Sequence, residues 1–86
     1  MAEDPKLMRL RHLARELSNA LELALVGRAP DPLVEKLAAA TGLVVALGEL
    51  PLDTDSLRVW ANEAIIRSER GLVEWSAWEQ DRKLTA

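Results

Sequence analysis

Apolar residues recur along the first third of the chain at alternating spacings of three and four. Leu7, Leu10, Ala14, Leu17, Leu21 and Ala24 form the series, and Leu13 and Ala20 widen it on one side. A seam of that period is the buried stripe of an amphipathic helix. The pattern predicts a helix over residues 5–26. "DPKL" opens it, with Asp4 as N-cap and Pro5 as a good first helical residue. Gly27 stands where a C′ residue belongs, and Pro30 follows just beyond. His12 and Asn19 fall opposite the seam, so His12 is expected in solvent.

"DPLV" repeats the start signal at Asp31 and predicts a second helix over residues 32–48. Its first turns are amphipathic, with Glu35 and Lys36. Then comes "LAAATGLVVALGEL", where Thr41 is the only polar side chain before Glu49. A helix apolar all round is buried or lies in a membrane, and this run is shorter than the roughly 20 residues that span a bilayer. It is therefore expected to be a core element. Ala38 and Gly42, one turn apart, are expected to let a neighbouring helix approach closely. Contact with a membrane surface and a partner groove are the alternatives.

"LPLDTDS" interrupts the pattern. Asp53 or Thr54 is expected to cap a third helix over residues 54–83, with Asp55 adding negative charge at its positive end. Such a helix is about 45 Å long. Glu63–Arg67 and Glu79–Lys83 make favourable i,i+4 pairs along it. At 100° per residue, Leu57, Trp60, Ala61, Ala64, Ile65, Leu72, Trp75 and Trp78 gather on one face, which should pack on the other two helices. Val59, Ile66 and Val73, spaced by seven, form a second stripe nearly opposite, with Ala77 close by. Glu63, Arg70 and Asp81 flank that stripe on one side; Asn62, Glu69 and Gln80 flank it on the other. A monomer's core accounts for one apolar face, so the second is a candidate interface. Trp75 and Trp78 are core fillers, or candidate interface residues if the end of this helix overhangs its neighbours.

Composition agrees with an all-α reading. Ala, Leu, Glu and Arg dominate, there is no Phe or Tyr, and the aromatics are Trp60, Trp75 and Trp78. A chain of 86 residues makes one domain with a thin core. Without cysteine, neither a disulfide nor a zinc–thiolate site can reinforce it, and one histidine builds no multi-histidine metal site. Self-association is the remaining support. The expected fold is thus a small three-helix bundle, residues 1–86, with a long C-terminal helix that completes a larger bundle by dimerisation.

Net charge is −3, from 14 acidic and 11 basic residues spread along the chain. That distribution argues against a nucleic-acid footprint, which needs a clustered basic face. The acidic start "MAEDPKLMRL" leads us to expect no signal peptide. Absence of cysteine fits a cytoplasmic protein, and eight arginines against three lysines fit a GC-rich bacterial genome.

Catalytic chemistry finds little support. No hydroxyl sits in a Gly-rich elbow to partner His12, no phosphate-cradling motif is present, and no ExxH pairing supports a di-iron bundle. Asp53 and Asp55 look like capping residues. No enzyme activity, catalytic residue, cofactor or metal is expected.

"ARELSNALE", Ala14 to Glu22, resembles the phosphoacceptor stretch of sensor histidine kinase dimerisation helices. Glu16, Leu17, Asn19 and Ala20 match that stretch, and Arg15 stands where the family carries its phosphorylated histidine. "AIIRSERGLVEW" loosely resembles the family's second helix. The resemblance covers about nine residues. It implies a dimerising bundle that has lost its phosphoacceptor, with His12, three residues before Arg15, as a candidate substitute.

The sequence thus points to a non-enzymatic protein–protein interaction module, an adaptor, inhibitor or regulator, paired with itself or another protein. Its expected interface is Val59, Ile66, Val73 and Ala77, with Trp75 and Trp78 second. A degenerate histidine-kinase-like or phosphotransfer bundle and a membrane-surface protein are the alternatives.

Overall fold

Three helices pack into an all-α bundle in the computed structural model, which describes residues 5–50 and 54–85. They are α1 (Pro5–Val26), α2 (Asp31–Gly48) and α3 (Asp55–Thr85). Each touches both others. Lys36, early in α2, pairs with Glu74, late in α3, so these two helices run in opposite directions. The bundle measures 48 × 22 × 17 Å, and its length is that of α3, about 46 Å at 1.5 Å per residue.

The helix ends explain how the sequence punctuates itself. After α1 the chain closes a Schellman turn: Ala29 N–H donates to the Ala24 carbonyl at 2.9 Å and Arg28 N–H to that of Leu25 at 3.3 Å. The left-handed residue is Arg28, with φ 57°, and not the glycine before it. Gly27 has a different purpose. A Cβ there would meet the Arg82 guanidinium, and would come within 3.2 Å of Trp78 Cη2 and 3.1 Å of the Leu23 carbonyl oxygen. Glycine suits this position because α3 passes so close that a methyl group would displace Arg82 and press on the Trp78 ring.

α2 begins one residue earlier than expected. Pro30 occupies the N-cap position without a side-chain hydrogen bond, and its carbonyl accepts from Leu33 and Val34 N–H. Asp31 is thus inside the first turn, where its charge suits the helix dipole, and is not the cap. At α3, Thr54 Oγ1 accepts from Leu57 N–H at 3.2 Å, so Thr54 is the cap. Asp4 and Asp53 lie outside the described residues.

The core is built from unequal halves. α1 contributes Leu10, Leu13, Leu17, Ala20 and Ala24, and α2 contributes Leu33, Leu37, Ala40, Val44 and Leu47. α3 meets them with small residues, Ala61, Ala64, Ser68 and Gly71, before Trp75 closes one end. Leucines on two helices therefore project toward a central line of small residues on the third, which Leu57, Ile65, Leu72 and Trp78 flank as partly buried side chains. Buried Ser68 donates its hydroxyl proton to the Ala64 carbonyl at 2.6 Å, which meets its need within its own helix.

Two expectations about burial are corrected. α2 is not buried all round: Ala38, Ala39, Gly42, Val45 and Ala46 are exposed, and nothing lies within 4 Å of a Cβ built on Gly42. No helix of the bundle uses the Ala38–Gly42 pair. With only two neighbours, a helix of a three-helix bundle can hide about half its circumference, and small side chains make the rest inexpensive to expose. Trp60 is 57 % exposed, not inside. It sits roughly 60° from the centre of the buried face, where the neighbouring helices no longer reach.

Candidate functional site

The outer face of α3 points away from both other helices. Val59 is 62 % exposed, Ile66 47 % and Val73 68 %, and Ala77 is exposed beside them. The four expected interface residues thus share one solvent-facing line, with Val59, Ile66 and Val73 about 10.5 Å apart along it. The line also extends further than the sequence reading took it. Leu84, seven residues beyond Ala77, is 85 % exposed. It was missed because the helix was ended at Lys83; the seven-residue spacing from Ala77 was the signal that would have found it.

Local electrostatics frame the line. Glu63 and Arg67 approach at 3.8 Å and Glu79 and Lys83 at 3.5 Å, both as i,i+4 pairs. Glu69 lies 3.8 Å from Arg9 of α1. Among the described residues no ion pair engages Arg70. Its side chain stands between two depressions. One is a groove of about 410 Å³ between α2 and α3, floored by Ala39, Ala40, Leu43 and Gly71; the other is a shallow notch on the outer face beside Glu69 and Val73.

The tryptophan pair does not belong to this surface. Trp75 is only 8 % exposed and is part of the core, so its place among the interface residues is corrected. Trp78 is half-buried, with its ring stacked on Trp75 at 5.5 Å between centroids and its edge over Gly27. The Arg82 guanidinium lies 5.5 Å from the Trp78 ring centroid. α3 does not overhang here, because the α1–α2 turn packs beneath it.

His12 is exposed, and its Nε2 lies 2.6 Å from Glu16 Oε1 one turn along α1. Among the described residues no three His, Asp or Glu side chains group so as to hold a metal ion. No described helix is long and apolar enough to cross a membrane. The exposed side of α2, where membrane contact was the alternative, carries Glu35 among its small residues. No protein-family model matches the chain, and no curated protein or solved structure matches it.

Proposed function

We propose that this chain is a non-enzymatic interaction module that works as a dimer, with the outer face of α3 as its docking surface. One observation carries the reading: a line of apolar side chains about 37 Å long, from Val59 to Leu84, lies on the face of α3 that the bundle leaves bare. Single exposed apolar residues are ordinary, whereas five that recur at one angle, spaced by seven and four and flanked by charges, form one position of a helix-pairing seam. The role we assign is that of an adaptor, inhibitor or regulator. The absence of cysteine and the arginine-rich composition support a bacterial cytoplasmic setting.

Light scattering across a dilution series tests this, with wild type beside the variant carrying Val59→Ser, Ile66→Ser and Val73→Ser. The expected result is a wild-type dimer and a folded, monomeric variant. A wild-type mass that stays at one chain at every concentration rejects it.

A second reading is favoured by the His12–Glu16 contact. A neutral imidazole donating Nε2–H to the carboxylate carries its lone pair on Nδ1, and the His12 side chain is 61 % exposed. Incubation with a phosphodonor would then place acid-labile phosphate on the chain, absent in His12→Ala. Label that survives that substitution rejects the reading.

A further inference from the structure

We propose that the partner of α3 is α3 of a second copy, laid antiparallel across a two-fold axis at Ile66; this rests on the self-association reading above. A two-fold interface demands a surface complementary to itself, since residue i meets residue j and j meets i. The outer face of α3 meets that demand about one point. Val59 and Val73 stand seven residues before and after Ile66. A two-fold axis perpendicular to the helix there sets Ile66 on Ile66, and Val59 on Val73 of the second copy, twice.

The charged flanks follow the same symmetry. Glu63 and Arg70 lie on one side of the line, three residues before and four after Ile66. Antiparallel pairing brings like sides together, so Glu63 meets Arg70 of the second copy about one residue rise, ~1.5 Å, out of level. Among the described residues no ion pair engages Arg70, Arg15 or Arg28, and Arg70 is the one of the three that flanks this line. On the other side Asn62 and Glu69, four before and three after, meet as amide and carboxylate. A parallel pair would instead bring opposite sides together, setting Arg70 beside Glu69, which already faces Arg9 of α1, and Glu63 beside Asn62, and would align the two helix dipoles. Charges beside an apolar seam fix orientation in this way in paired helices.

Residues 55–77 form the paired stretch, and Leu84 lies beyond it. Val59, Ile66 and Val73 are already partly covered by their own helix, so the association is expected to be micromolar rather than nanomolar.

The chain has no cysteine, so single introduced thiols report the geometry without interference. Ile66→Cys is expected to cross-link to itself with a short bis-maleimide. Val59→Cys and Val73→Cys are expected to cross-link when mixed, while Val59→Cys alone gives no covalent dimer, its two thiols being roughly 21 Å apart along the axis. Glu63→Arg and Arg70→Glu are each expected to weaken the dimer roughly tenfold, from two symmetric pairs, and the double exchange to restore it. Self-cross-linking of Val59→Cys, or a double exchange that stays weak, overturns the antiparallel pairing and leaves the dimer on α3 standing. A dimer in which Ile66→Cys does not cross-link overturns the α3 interface as well. A wild-type chain that is monomeric throughout rejects self-association itself.

Discussion

Two adjacent residues, Gly27 and Arg28, divide between them what one glycine usually does alone. Arg28 takes the left-handed conformation that ends α1, and Gly27 makes room for Trp78 and Arg82. Their substitutions should therefore move stability in opposite directions. Arg28→Gly removes the cost of a side chain in the left-handed region and is expected to stabilise by about 0.5–1 kcal/mol, raising the melting temperature by about 2–8 °C. Gly27→Ala pushes a methyl group against the Trp78 ring, which cannot retreat freely because it is stacked on Trp75. That change is expected to cost about 1 kcal/mol. Urea titrations of both variants beside wild type check the pair; a stabilised Gly27→Ala would show that the close approach is not tight.

At the level of elements, how far the sequence was legible depended on what each pattern had to decide. The three helices were legible because Asp-Pro at the starts of α1 and α2, Gly-Arg-Ala-Pro after α1 and Thr54 before α3 act locally, within a turn. The exposed apolar line of α3 was legible because Val59, Ile66 and Val73 repeat at nearly one angle among charges. α2 was not legible in the same way. Its run of Ala, Val and Leu carries no polar residue to mark an outer side, so periodicity could not tell a helix buried all round from one half exposed. What decides is the number of neighbours, which is a property of the bundle and not of the segment. Trp60 was misplaced for a related reason: its angle admits it to the inner face, but its neighbours do not reach it. The same contrast gives a test. Ala64→Leu, on the crowded inner side of α3, is expected to destabilise by about 1–3 kcal/mol, whereas Ala38→Leu on the open side of α2 should stay within about 0.5 kcal/mol of wild type. Equal effects at the two sites would contradict the burial pattern.

For the whole molecule, a thin core and a bare apolar line bear on the same quantity, the stability of the folded chain. A dimer that only folded chains can form draws the folding equilibrium toward itself. Thermal melting should therefore depend on protein concentration, with the midpoint rising by a few degrees over a hundredfold increase. The Val59/Ile66/Val73 serine variant should melt at one temperature throughout. A wild-type midpoint that ignores concentration would place association outside the folding equilibrium.

The spacing of the α3 line also has a mechanical consequence. Residues repeating strictly every seven drift about 20° per repeat around a straight helix, so Val59, Ile66 and Val73 by themselves would wander off the face. The step of four to Ala77 turns the line back before Leu84 continues it. The row consequently runs nearly parallel to the helix axis, and α3 can present it while remaining a straight rod. Within the paired stretch, where Val59, Ile66 and Val73 drift by about 40°, two such rods would cross at a shallow angle.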